Sequence, residues 1–213
     1  MNERYPGYDV MSKRGGPSWN DATRRVIDAR LRVPLEPTFF TSEEWRTLQA
    51  VCEAILPQDD DPEPAPLAAY VDQKMAQNHT DGFRHGALPR QGEAWRRGLA
   101  ALDAEAQSAH GATFHALSPR QRDDLLRRMQ TGDLSDPAWS EMPPSVFFQY
   151  RVIPDITHAF YAHPKGWNEM GFGGPASPRG YVRLGLDRRD PWEAAEASHG
   201  GEAAARRKNE RVR

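Results

Sequence analysis

Thr41-Ser42-Glu43-Glu44-Trp45-Arg46-Thr47-Leu48-Gln49-Ala50-Val51-Cys52-Glu53-Ala54-Ile55-Leu56-Pro57 is the stretch that decides the fold. It opens on a capping box: the Thr41 hydroxyl is placed to accept the amide of Glu44, while the Glu44 carboxylate reaches back to the Thr41 amide. Trp45, Leu48, Val51, Cys52 and Ile55 then recur at helical spacing. Phe40, just before the cap, is placed to staple onto Trp45. Pro57 ends the element, because proline brings no N–H and its ring clashes with the preceding turn.

The same period continues downstream. Gln58 to Pro66 is an acidic, proline-rich loop, and its run Asp59-Asp60-Asp61 reads as a solvated face. Pro66 suits the first turn of a second helix with Leu67, Tyr70, Val71 and Met75 inward. His79 to Pro89 connects to a third helix over Gln91 to His110, with Trp95, Leu99, Leu102 and Ala106 aligned and Gly111 as its left-handed cap. Phe114 and Leu117 anchor the next linker. Ser118-Pro119-Arg120-Gln121 is a second capping box, ahead of Leu125, Leu126 and Met129 and a stop at Gly132. After a loop to Pro144, a fifth helix carries Val146, Phe147, Tyr150, Ile153, Ile156, Thr157 and Phe160, with Pro154 expected to kink it. The expected fold class is all-α: about five helices in one small bundle-like domain over residues 38–162, with no strand and no internal repeat.

The flanks read differently. Residues 1–37 form an irregular N-terminal arm, in which Asp21 to Leu31 is compatible with a short helix carrying Val26, Ile27 and Leu31 on one side. Residues 163–192 are a Gly/Pro-rich C-terminal extension. Its stretch from His163 to Tyr181 reads as ordered but irregular, since Gly and Pro discourage a helix while Trp167, Met170, Phe172 and Tyr181 demand burial. Residues 193–213 are a charged tail, either a solvent-facing helix or disordered.

Composition narrows the function. The chain has 213 residues, a net charge of −2 and 38% apolar residues, below the usual range of about 45–50%. A near-neutral balance gives no basic stripe for nucleic acid. No run approaches the roughly 18 apolar residues that a membrane span needs. Cys52 is the only cysteine, so no internal disulfide, CxxC pair or CxxCH haem attachment can form. Met1 to Leu31 has no apolar signal core, and Arg24-Arg25 precedes polar residues rather than a twin-arginine export segment. The expected location is therefore cytoplasmic, with periplasmic location only by co-export with a partner.

No catalytic, cofactor-binding or metal-binding residue emerges. His79, His85, His110, His115, His158 and His163 show no metal-ligand spacing and read as loop or cap residues. Gly171-Phe172-Gly173-Gly174 hints at a phosphate cradle, but it follows a helix rather than a strand and runs into Pro175. Its glycines instead suggest close backbone approach to a packed surface. Cys52 sits on an apolar helix face as a small core residue.

Three blocks follow one another along the chain. The first is Phe39-Phe40-Thr41 through Ile55-Leu56-Pro57 to Tyr70-Val71-Asp72. The second is Trp95-Arg96-Arg97-Gly98-Leu99-Ala100-Ala101-Leu102-Asp103 with Phe114 and Leu117-Ser118-Pro119-Arg120-Gln121. The third is His163-Pro164 through Trp167-Asn168-Glu169-Met170-Gly171-Phe172-Gly173-Gly174-Pro175. Together, over roughly residues 38–192, they resemble the gluconate 2-dehydrogenase subunit 3 family.

That resemblance implies an all-helical, non-catalytic small subunit. Its partner would be a large FAD-dependent dehydrogenase of the glucose-methanol-choline (GMC) oxidoreductase type, acting on sugars, polyols or other alcohols. The FAD would sit in that partner, with no cofactor in this chain. An electron-accepting cytochrome or other redox protein is a further partner the family implies. Interface cores favour Trp, Tyr, Phe, Met and Arg, so the expected partner interface is Trp167, Asn168, Met170, Phe172, Arg179, Tyr181 and Trp192. Two alternatives stay open: a free-standing helical ligand-binding protein or enzyme using His158, His163 and Asn168, and an interaction module for an unrelated partner.

Overall fold

The computed structural model describes residues 4–58, 61–183, 185–186 and 190–212. Asp59 and Asp60 of the acidic run, and residues 187–189 ahead of the tail, lie outside the described residues. In chain order the helices are α1 (Asp21–Leu31), α2 (Ser42–Ile55), α3 (Leu67–Ala76), α4 (Gln91–His110), α5 (Pro119–Thr131), α6 (Pro144–Phe147), α7 (Ile153–Ala162), α8 (Pro164–Met170) and α9 (Glu202–Asn209). Among the described residues there is no β-strand, and the fold is all-α. The chain divides into two compact units, Val33–Ala159 and Met1–Arg32 with Phe160–Arg213.

In the unit Val33–Ala159, both capping boxes form. Thr41 N donates to Glu44 Oε2 at 2.8 Å and Glu44 N to Thr41 Oγ1 at 3.3 Å; Ser118 and Gln121 repeat the pattern at α5. Gly111 and Gly132 close α4 and α5 with φ of 71° and 84°, where a side chain would be strained. The core centres on Trp95, fully enclosed and met edge-on by Phe147 at 5.4 Å and Phe40 at 6.5 Å. Phe40 thus lies against Trp95, and Trp45, expected inward on α2, is only half-buried. Gly98 explains the close approach of α6 to α4, since a Cβ there would stand 2.3 Å from the Phe147 ring. Burial holds the Cys52 thiol well above its ordinary range, in keeping with a core residue.

Asp72 fixes the entry to α2. Its carboxylate accepts from Thr38 N, Thr38 Oγ1, Phe39 N and Phe40 N at 2.7–3.0 Å. Burial raises its pKa, but these hydrogen bonds outweigh it and hold the group below the usual carboxylate value. The expected fifth helix forms as one unbroken helical run, α6, a π-helical turn over Phe148–Val152, and α7, with the irregularity expected at Pro154 taking the form of that π-turn just ahead of it. Pro154 lacks an N–H, so the Tyr150 carbonyl four residues back loses its helical donor. Arg151 Nε donates to that carbonyl instead. The Arg151 guanidinium also reaches Asp81 at 2.7 Å and Gln91 at 3.2 Å. Asp155, enclosed one turn on, accepts from Lys74 and from the Trp95 indole, both at 2.7 Å. Every charge in this cluster has an opposite charge and further hydrogen bonds, the condition under which burial is tolerated.

The other unit joins segments far apart in sequence. Tyr8, Val10, Trp19, Ile27, Trp167, Ala194 and Val212 form one buried cluster. The arm contributes a 3-10 turn over Val10–Lys13 and α1, whose Ile27 is buried while Val26 and Leu31 are exposed. The tail forms α9, where the Asn209 amide donates to Pro6 O and Ala195 O and accepts from Ala195 N. These three bonds satisfy a buried side chain that would otherwise lose its solvation.

Candidate partner-binding surface

The segment after α7 is more regular than its glycines and prolines suggest. His163 Nδ1 accepts from Lys165 N at 3.3 Å, and Pro164 takes the first helical position of α8, where its missing N–H costs nothing. Gly166 lies inside the helix because a Cβ would stand 2.6 Å from the Phe160 carbonyl. At the other end Phe172 N donates to Trp167 O at 2.8 Å and Gly171 N to Asn168 O at 3.2 Å, with Gly171 at φ 66°. This is a Schellman closure, so the glycine is a helix stop and not a phosphate cradle.

That closure sorts the aromatic residues into two groups. Trp167 turns inward, 4% exposed, with its indole N–H on Tyr161 O at 2.7 Å. Gly174, at φ 67°, lets the backbone pass beside Val10, Trp19 and Trp167. Asn168 Oδ1 accepts from Val10 N at 2.8 Å. Trp167 and Asn168, expected at a partner surface, are spent on the chain's own N-terminal residues. Phe172 turns outward, its ring edge-on to Trp167 at 5.9 Å and stacked on Tyr181 at 6.4 Å. Met170, Phe172 and Tyr181 are exposed, and so are Val182 at 80% and Leu186 at 92%. A stacked Phe172–Tyr181 pair left exposed with Val182 beside it is unusual on a monomer surface.

The strip is anchored to the arm. Ser177 N donates to Ser18 O and Asn20 N to Ser177 O, both at 2.8 Å, bridging Trp19 and Ser177 in parallel. Arg179 Nε donates to Ser18 Oγ at 3.0 Å, and its guanidinium lies 4.2 Å over the Trp192 ring. Beneath Phe172 and Tyr181 is a cleft of about 300 Å³ that also brings in Tyr5, Lys13, Arg183 and Glu193. The structure therefore brings Phe172, Arg179, Tyr181 and Trp192 to one place. Tyr5 and Lys13 escape sequence reasoning because an isolated tyrosine and lysine in a polar arm carry no signal. Val182 and Leu186 were legible as large apolar residues in a stretch without helical period.

A second cleft, of about 460 Å³, lies in the unit Val33–Ala159. Asp81, Phe83, Arg84, His85, Tyr150 and Arg151 line it, with His85 against Tyr150 at 4.7 Å. His158 is exposed on α7, while His163 is occupied as the cap of α8. Among the described residues no helix is long and apolar enough to cross a membrane.

The family model described as gluconate 2-dehydrogenase subunit 3 matches residues 42–174, more than half of the chain. No curated protein and no solved structure matches it. The matched span runs from the first residue of α2, through the core around Trp95, to Gly174 beside the Schellman closure. The chain belongs to the gluconate 2-dehydrogenase subunit 3 family.

Proposed function

We propose that this chain is the accessory subunit of an FAD-dependent, GMC-type dehydrogenase acting on a sugar, polyol or other alcohol, and that it binds the catalytic subunit through the strip from Met170 to Leu186. The observation that carries this reading is the exposed apolar side chains Met170 and Phe172 at the end of the family-matched span, with Tyr181, on which Phe172 stacks, Val182 and Leu186 exposed just beyond it. Such exposed apolar side chains are costly in water and are stabilised when a partner covers them. Trp167 and Asn168 support the strip from below, and Arg179 and Trp192 flank it. In such a complex the flavin carries the redox chemistry and this chain supplies support. The location of the chain follows that of the subunit it accompanies, and an electron-accepting redox protein is a further partner of the assembled complex.

Co-purification tests the reading. Tagged full-length chain should retain a polypeptide identified by mass as a GMC-type flavoprotein, with oxidised-flavin absorbance near about 450 nm. Full flavin loading and activity of that flavoprotein made alone, with no association, would overturn it. A ligand-binding reading keeps one observation in its favour, the cleft between Phe83, His85, Tyr150 and Arg151. It requires a monodisperse chain that binds a small molecule there without any partner.

A further inference from the structure

We propose that the cleft beneath Phe172 and Tyr181 receives an acidic side chain of the catalytic subunit, held by Arg179 above the buried positive charge of Lys13, with an apolar neighbour of that residue resting on the aromatic rim. The proposal rests on the accessory-subunit reading and adds the chemistry of the docking segment. Three cations, Lys13, Arg179 and Arg183, line the cleft, against one lining carboxylate, Glu193. That carboxylate is committed, because Glu193 Oε1 accepts from Arg183 Nε at 2.9 Å. Lys13 and Arg179 are left without an equivalent counter-charge among the lining residues.

The hydrogen bonds point the same way. Lys13 is enclosed at the floor of the cleft, and among the described residues its ammonium, which has three donors, meets one acceptor, the Gly173 carbonyl at 2.5 Å. Arg179 uses Nε on Ser18 Oγ and lays its plane on Trp192, which leaves the outer edge of the guanidinium for a planar acceptor. Burial, and then the repulsion of Arg179, push the Lys13 ammonium down to about 8, opposed by Glu193. A carboxylate offers two oxygens, enough for the two outer nitrogens of the Arg179 guanidinium. Docking would relieve the like-charge repulsion that the free chain carries. The cleft therefore asks for a planar anionic acceptor at Arg179, which one acidic residue in an extended segment supplies.

The rim favours a protein over a free anion. Phe172 and Tyr181 stack at its edge, and Val182, next in sequence, is also exposed. A small anion would leave these side chains in water, whereas a polypeptide covers them while it delivers the charge.

The test uses the full chain with the flavoprotein that co-purifies with it. Dissociation constants are measured for the unaltered chain, Arg179→Gln and Lys13→Met, at about 50 and about 500 mM salt, since screening weakens exposed pairing across this range. Melting temperatures of the free variants establish that each is folded. The expected result is a complex weakened at least about tenfold by Arg179→Gln and by a smaller factor by Lys13→Met, which acts only through its buried charge. Salt should weaken the unaltered complex and affect Arg179→Gln less. Should one variant fail to fold, the other and the salt dependence of the unaltered complex still decide. A complex whose affinity ignores both substitutions and salt overturns the proposal. So does capture of a second copy of this chain in place of the flavoprotein. Absence of any complex overturns the accessory-subunit reading itself, a separate outcome.

Discussion

Trp167→Ala and Tyr181→Ala should fail in opposite ways, although the two aromatics belong to the same glycine-rich segment. Trp167 is buried in one cluster with Tyr8, Val10, Trp19 and Ile27, and its indole N–H satisfies the Tyr161 carbonyl. Truncating a buried tryptophan costs about 3–5 kcal/mol. The freed carbonyl adds about 1 kcal/mol where water does not reach it. A loss of about 4 kcal/mol corresponds to a fall in melting temperature on the order of 10 °C for a chain of this size. Tyr181 is 67% exposed and stacks only on Phe172. Its removal should change stability by less than about 0.5 kcal/mol. As an interface anchor it should instead cost about 2 kcal/mol of binding, roughly a 30-fold rise in dissociation constant. The assay pairs urea unfolding, followed by circular dichroism, with a binding titration against the flavoprotein. Unchanged stability of Trp167→Ala, or destabilisation of Tyr181→Ala by several kcal/mol, would refute the division into an inner support and an outer docking face.

Other substitutions test the fold. Gly98→Ala should destabilise by about 1–3 kcal/mol by driving a methyl into the Phe147 ring, despite alanine's higher helix propensity; equal stability in urea would contradict the close packing. Trp95→Phe should cost about 3 kcal/mol, from the lost donor to enclosed Asp155 and the void left by the smaller ring, again measured by urea unfolding. Lys13→Met tests linkage. The folded-state pKa of Lys13 is lowered from its ordinary 10.5 to about 8, so between these values the unfolded chain holds more protons and stability rises with pH. Any advantage of Lys13→Met in melting temperature should therefore be largest near neutral pH and shrink through that window; a constant difference would contradict the burial. Asp72→Asn removes a carboxylate held below its ordinary value. Its stabilising effect is present above the unfolded-state value and lost as pH falls through the folded one. The gap in melting temperature between the two proteins should close in acid.

Local chemistry made much of the helical unit legible. Thr41 with Glu44 and Ser118 with Gln121 form the boxes their spacing requires, and Gly111 and Gly132 take the left-handed caps. Each depends on residues within one turn. Spacing could not rank Trp45 against Trp95, because both sit on apolar stripes. Only the tertiary structure puts Trp95 at the centre and leaves Trp45 half-buried. Pro154 announced a kink, but the π-turn it takes, with Arg151 reaching back to the Tyr150 carbonyl, was not legible. The union of arm, extension and tail was illegible for a different reason. Its bonds, such as Val10 N to Asn168 Oδ1 and Asn209 Nδ2 to Pro6 O, span most of the chain and leave no periodic trace. Aromatic residues in a glycine-rich strip announced burial; which of them the chain would bury by itself depended on that union.

Amide hydrogen exchange of the full chain, alone and bound to its flavoprotein, tests the central claim most directly, because opening and protection are read segment by segment. The account predicts slowed exchange on binding across residues 170–183, with α4 around Trp95 unchanged. A stable complex that leaves residues 170–183 as they are in the free chain would contradict it.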